Sequence, residues 1–416
     1  MSQSRKHNAR VGKVSTRITR RRFLQASAVA AGGLLAGVPA ILRAQGTPSE
    51  IVIGCTFSLS GRFQGGYDFS KLQQAWVKRV NSKGGIMLKA YNKSLPIRLV
   101  SYDDKSEPPT AGAMYERLAT VDKVDLLMGP FSSLLTNACI QSAVSHNIPF
   151  FMIEANDDVF FEKENPWRTT GLAPVHTEFD RLVDFYVKKG GVKTFAILDS
   201  DTLHDKGTAP GLAANLRKNG FTVVFEGKAP PPTTDFSSLM LAVKEKKPDV
   251  IVAESVVPTW AIGVLKETRV QDIPFKDFVV GHAPVPVTKA MGDGAEGMMS
   301  MVYAFDGDTP DHQEYLSLCH EAGFEPWQFS ESGIRYRAYR RVQDALTRAG
   351  TLDKEKVREA MWSTDLPLFG EERMKIDGKG YGTLKPYPVQ FQGGKFVSLW
   401  PLDHGVSIHK FKNSKW

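Results

Sequence analysis

From Ile51 onward the chain alternates two kinds of segment, and no other feature of the sequence limits the fold as tightly. Short runs rich in β-branched and aromatic residues, "IVIGCTF", "IRLVSY", "VDLLM" and "IPFFMI", are separated by longer stretches of helical periodicity. In "DFSKLQQAWVKRVNSKGG" the residues Leu72, Ala75, Trp76 and Val80 share one helical face before Gly84 and Gly85 end it. "TAGAMYERLATV" and "LLTNACIQSAVSHN" read as the next two helices. Apolar strands joined through helices predict a parallel sheet covered on both faces, because parallel neighbours need a crossover connection. After "WRTTGLAPVHTE" the same grammar restarts, with strands at "TFAILDS", "TVVFEG", "DVIVAES" and "DFVVGH" and helices at "APGLAANLRKNG", "DFSSLMLAVKEKK" and "TWAIGVLKETRV". The expectation is an α/β protein of two lobes, which suits a chain of 416 residues.

The C-terminal part breaks the alternation. Helical stretches "DHQEYLSLCHEAG", "SGIRYRAYRRVQDALTRAG" and "DKEKVREAMW" lead into the β-like pieces "YPVQF" and "FVSLW". These elements are expected to return to the lobes rather than build a third core. The run Arg335, Arg337, Arg340 and Arg341 falls partly on one helical face and reads as a solvated face or a docking patch.

The formal charge of +8 suggests a nucleic-acid or membrane surface until its position is considered. Residues 1–44 hold nine Lys or Arg and no acid, which leaves the remainder with 44 bases against 45 acids. The body is neutral and no nucleic acid is expected. In the basic leader, Arg20, Arg21 and Arg22 precede an uncharged stretch at 23–42, and Leu42-Arg43-Ala44 offers a small-residue cleavage site. Residues 1–44 resemble a twin-arginine export signal, cleaved near Ala44, which implies a periplasmic protein. Gly32, Gly33, Gly37 and Pro39 weaken the alternative of a retained membrane anchor. Val52, Ile53, Gly54 and Cys55 have the residue types of a lipobox but stand inside a strand-like run, so lipidation is not expected.

The three cysteines, Cys55, Cys139 and Cys319, are too few and too scattered for a disulfide framework or a zinc cluster, and each sits among apolar residues that favour a buried free thiol. The sequence has no G-x-S-x-G elbow, no P-loop and no G-x-G-x-x-G. His320 and Glu321 lack the second histidine of a zinc hydrolase motif. No catalytic set, cofactor or metal site is expected.

Ligands of an open parallel sheet bind outside the carboxyl ends of its strands. "GPFSS" is such a strand end: Gly129 and Pro130 fix the turn, and Ser132 and Ser133 fall at the cap and first turn of the next helix. Free backbone N–H groups, the helix dipole and two hydroxyls there suit a carboxylate or a phosphate. Serine is also a common structural N-cap. The other strand ends, "SLSGRFQGGY", "EANDDV", "DSDTLHDKG", "ESVVPTW" and "GHAPVP", are polar in both halves, which suggests a cleft between the lobes.

With "IVIGCTFSLSG", "GYDFSKLQQAWVKRVNSKGGI", "LVSYDD", "VDLLMGPFSS", "IPFFMIEA", "GDGAEGMMS" and "AGTLDKEKVREAM" in this order, the chain from about Glu50 to Pro401 resembles the leucine/isoleucine/valine-binding family of ABC-importer solute receptors, the type I periplasmic binding proteins. The resemblance implies two doubly wound parallel-sheet lobes joined by a three-crossing hinge, with the ligand cleft between them. It places lobe one at 50–172 plus 303–372 and lobe two at 173–302 plus 373–410, with crossings near 170–174, 301–305 and 369–375. It implies a small amino-acid-like or carboxylate-bearing solute, ABC-importer permease subunits as partners, and a monomer that is not an enzyme. The alternatives are a sensor module of the same fold that signals to a partner, and an exported enzyme.

Carried onto this sequence, the resemblance gives Ser132 and Ser133 the ligand's α-carboxylate, and it draws Ser60, Gln64, Tyr67, Phe131, Ala155, Asn156, Asp157, Asp201, Leu203, His204, Glu254 and His282 into the binding cleft. Two departures stand out. Where family members often carry an acid, this chain reads Gly281-His282-Ala283-Pro284, and the usual tyrosine of the 199–207 loop is replaced by Leu203-His204. Glu154, Asp157, Asp201 and Glu254 are then the candidates to receive an ammonium group, and His204 and His282 to face a second carboxylate or a phenol.

Overall fold

Strand β1 (Ile51–Phe57) pairs in parallel with β2 (Ile97–Asp103) on one side and β3 (Leu126–Met128) on the other, and β4 (Phe150–Met152) and β5 (Arg168–Thr170) extend the sheet in the order β2-β1-β3-β4-β5. This computed structural model describes residues 47–64, 69–282, 284–304, 309–324, 331–367, 369, 373–401, 407–408 and 411. The leader at 1–44, Tyr67, Phe305 and residues 370–372 of the expected third crossing lie outside the described residues.

The second sheet repeats the same winding. Its parallel strands β6 (Thr194–Asp199), β7 (Thr222–Lys228), β8 (Val250–Glu254), β9 (Asp277–Val280) and β10 (Met299–Val302) run in the order β7-β6-β8-β9-β10, and β11 (Tyr387–Gln392) and β12 (Lys395–Ser398) add to it antiparallel. In both sheets the first strand lies between the second and the third, so the winding direction reverses beside it. Loops leaving the strands on either side of that point diverge and open a crevice. The two short strands β5 and β10 were not read from the sequence, because three or four residues carry too little periodicity.

Each lobe is packed as the pattern requires. Along β6, Phe195 and Ile197 turn to one face of the second sheet and Ala196 and Leu198 to the other. Helices α4 (Asp180–Lys189) and α5 (Asp205–Lys218) cover the first face through Leu182, Tyr186 and Leu212. Helices α6 (Ser237–Lys246), α7 (Pro258–Val270) and α8 (Pro284–Met291) cover the second through Met240, Trp260 and Val287. The first sheet is covered by α1 (Ser70–Ser82), α2 (Pro108–Thr120) and α3 (Ser133–Ser145), whose Leu72, Tyr115 and Leu135 are wholly buried. The C-terminal helices α9 (Pro310–Glu321), α10 (Ser332–Ala349) and α11 (Lys354–Trp362) join that same core through Leu318, Val342 and Met361. The tail therefore builds no core of its own: its helices return to the first lobe and β11 and β12 to the second sheet.

Two chain segments run side by side where the lobes meet. Thr170 and Ala173 donate their amides to the carbonyls of Gly380 and Leu384, and Gly382 and Leu384 return amides to Leu172 and Gly171, at 2.8 to 3.1 Å. Met374, Tyr381 and Leu384, which the sequence reading gave to lobe two, pack in the first core.

The arginine run is not a solvated face. Arg335, Arg337 and Arg341 are 1, 0 and 1% exposed, and only Arg340 reaches the surface, with Asp311 and Glu314. Helix α10 lies over the first sheet on the side of the strand ends, where buried carbonyls and acids supply partners that the helix periodicity does not reveal. Cys55, Cys139 and Cys319 are buried and none is in a disulfide. Cys55 sits in the middle of β1 with burial pushing its pKa up to about 12, which removes the lipobox reading. No helix among the described residues is long and apolar enough to cross a membrane.

Candidate functional site

The crevice at the strand ends holds a cavity of about 420 Å³, open in part to solvent. The first lobe contributes Phe131, Ser132 and Ser133 from the β3–α3 turn and Glu154 and Asn156 after β4. Glu178, His204, Val256 and His282 come from the second lobe's side, and Leu172 and Tyr303 lie at the expected crossings. Glu331 and Ile334, at the start of α10, complete the lining.

The serine turn is built under strain. Ser132 holds φ 67° and ψ 152°, a region that side chains other than glycine's rarely enter and that costs of order 1–3 kcal/mol. Its Oγ accepts the Leu135 amide at 3.4 Å, so it is the N-cap of α3. Ser133 does something different: its Oγ is buried and makes no hydrogen bond, and the same is true of the Asn156 side-chain oxygen. The Asn156 amide is fixed by donating to the Ala173 carbonyl at 2.8 Å, and the residue lines the cavity. Buried polar atoms without partners are rare and cost free energy unless something else reaches them.

At the opposite side the chemistry is acidic and basic together. Nε2 of His204 and Nε2 of His282 stand 3.1 Å apart. Glu178 reaches His204 at 3.3 Å and His282 at 3.4 Å, and Glu254 reaches His282 at 3.2 Å. Glu331 and Asp157 stand 3.9 Å from the outer nitrogens of His282 and His204. Burial by itself would raise the Glu178 carboxyl, but the two imidazoles and the Tyr303 hydroxyl, which donates to it at 2.9 Å, hold it at about 2. Burial opposes charge on His282, yet Glu254 carries its pKa up to about 10. For His204 the same contest ends well above the usual imidazole range, Glu178 being its main opponent. The surrounding carboxylates thus favour positive charge at this side of the cavity.

The residues expected in the cleft divide accordingly. Phe131, Ser132, Ser133, Asn156, His204 and His282 line the cavity, and Glu254 and Asp157 stand beside the histidines. Glu154 also lines it, but Arg335 Nε and a second guanidinium nitrogen grip both its oxygens at 2.8 Å, so it is not available to an ammonium. Asp201 is elsewhere, paired with Lys206 and Lys228 on the surface. Ser60 donates to Asp103, Gln64 is exposed, Ala155 is buried away from the cavity, and Leu203 packs on the first core. Glu178, Tyr303, Val256, Leu172, Ile334 and Glu331 were missed. The expected crossings were a signal for Leu172 and Tyr303, since a hinge segment borders the cleft by construction. Glu331 had none.

A family model described as periplasmic binding protein matches residues 50–393. The chain belongs to the periplasmic binding protein family. This periplasmic binding protein is 23% identical over 406 residues to the Leu/Ile/Val-binding protein homolog 7 of Brucella suis, covering 91% of this chain and 97% of that one. In structure it is similar to a leucine-binding protein of Thermotoga maritima, with a TM-score of 0.72 and 17% identity over 84% of this chain and 97% of the other. A solute-binding protein of R. palustris in complex with 4-hydroxybenzoate gives a TM-score of 0.71 at 19% identity, covering 84% of this periplasmic binding protein and 95% of that chain. These likenesses bear out the two-lobed, doubly wound fold.

Proposed function

We propose that the protein is an extracytoplasmic receptor that delivers a small carboxylate-bearing or amino-acid-like solute to the permease subunits of an ABC importer. Its family is one of solute receptors, not of catalysts. The observation that carries the choice of solute is the unpartnered Ser133 hydroxyl at the first turn of α3, beside the strained Ser132. A carboxylate at that helix N-terminus meets the positive end of the helix dipole and a hydroxyl that nothing in the protein satisfies. Phe131, Leu172, Val256 and Ile334 give the solute an apolar wall. Relatives named for Leu, Ile and Val and a neighbour holding 4-hydroxybenzoate bind solutes of this chemistry, which supports the reading. Two lobes, at 50–172 with 303–372 and at 173–302 with the strands from Tyr387 on, export of a monomer through the twin-arginine route, and cleavage near Ala44 belong to the same proposal.

The test is a thermal-shift screen of the purified protein against leucine, other amino acids, benzoate, 4-hydroxybenzoate and the amide of each. A solute at about 100 times its Kd adds roughly 2.7 kcal/mol to stability. Acids that shift melting while their amides do not are the expected result. No shift with any carboxylate, or equal shifts with acid and amide, would end the proposal.

A further inference from the structure

At the histidine side of the cavity, carboxylates of Asp157, Glu178, Glu254 and Glu331 surround two imidazoles whose Nε2 atoms face each other at 3.1 Å. Glu178 is 3% exposed and Glu254 is fully buried. Buried carboxylates are costly unless a cation meets them.

The distances say which kind of cation. Bonds of about 2.0 Å in a tetrahedral zinc site place neighbouring ligand atoms about 3.3 Å apart. The separations here are 3.1 Å between the two histidine nitrogens, 3.3 and 3.4 Å from these to the Glu178 oxygens, and 3.2 Å from His282 to Glu254. Ligand atoms of Glu178, His204 and His282 all lie within 4.8 Å of one another. The supporting contacts follow the pattern of a held metal as well. Tyr303 orients Glu178, Thr208 donates to Glu254 at 2.9 Å, and the outer nitrogen of each imidazole faces a carboxylate.

We infer that Glu178, His204 and His282, with Glu254 backing His282, form a binding site for one divalent transition-metal ion of the zinc class in the cleft. Its ligands come from three separate connections, so no motif in the sequence announces it. A bound ion also turns an acidic side of the cavity into one that accepts an anionic or neutral donor of a solute. The site is argued from protein atoms and stands apart from the identity of the solute.

The purified protein, stripped with EDTA and dialysed, is titrated with zinc chloride by calorimetry, and with cobalt chloride by visible absorption. Saturable binding near one equivalent is expected, with an intense tetrahedral cobalt spectrum. His204→Gln, His282→Gln and Glu178→Gln should each weaken zinc binding by about tenfold or more, and Asp201→Asn should not. Absence of saturable zinc binding, a weak octahedral cobalt spectrum, or binding unchanged in all three variants would overturn the inference. Should a variant fail to fold, the wild-type cobalt spectrum still decides. Leucine and benzoate melting shifts in EDTA separate the two readings: zinc binding without any carboxylate response sinks only the proposed solute, and the converse sinks only the metal site.

Discussion

Arg335 and Glu154, 181 residues apart in the chain, form a two-pronged ion pair with both N–O distances at 2.8 Å, and neither is appreciably exposed. Burial pushes the Glu154 carboxyl up to about 7 even with the guanidinium against it. The two ends of the pair are therefore unequal. Glu154→Leu strands a guanidinium that cannot shed its proton, and a loss of about 3–5 kcal/mol is expected by urea unfolding. Arg335→Met leaves an acid that can take up a proton, so it should cost less. Burial holds that acid at about 7 beside the guanidinium and higher without it, above its unfolded value, so its contribution holds at low pH and is lost as pH rises from the ordinary carboxylate range through that folded pKa. Equal losses for both variants at pH 6 would show that the pair is not the buried unit described.

Ser132 and Ser133 should separate in two assays. Ser133→Ala removes a hydroxyl without a partner, so apo melting should hold or rise while affinity for the carboxylate solute falls by roughly tenfold. Ser132→Ala removes an N-cap worth about 1 kcal/mol and lowers apo melting. If Ser133→Ala leaves affinity intact, the carboxylate sits elsewhere.

Gly281 lies directly under Glu254: a Cβ placed there would come within 1.6 Å of Oε2. A carboxylate can swing away, so Gly281→Ala should fold but displace Glu254. Zinc affinity should drop as it does in Glu254→Gln, and the double variant should be no worse than either single one. Additive losses would mean that the glycine acts on the backbone instead.

Gly382 is held against backbone rather than a side chain, 2.0 Å from its Cβ position to the Gly171 carbonyl oxygen. Neither segment can yield without breaking the amide bonds that join them. Gly382→Ala should cost about 1–3 kcal/mol by urea unfolding, and solute-induced compaction seen by small-angle scattering should shrink with it. A variant of unchanged stability would show that these two segments are not in contact in solution.

The sequence by itself determined the winding of both lobes. A short apolar run in "TFAILD" and a period of 3.6 in "DFSKLQQAWVKRV" are local properties, and they survive into β6 and α1. It also located the serine turn, because strand, Gly-Pro and N-cap are contiguous. What it could not determine was which buried polar groups meet. Arg335 read as a surface residue since helical periodicity reports only which residues share a face, not that Glu154 waits across the strand ends for this one. The two histidines were visible one by one, but His204, His282, Glu178 and Glu254 belong to different connections, and their convergence is fixed only when the sheet order places β6 beside β8 and β8 beside β9. Long-range electrostatics of this kind depends on distances of 3 to 4 Å between atoms, and only tertiary packing sets those distances.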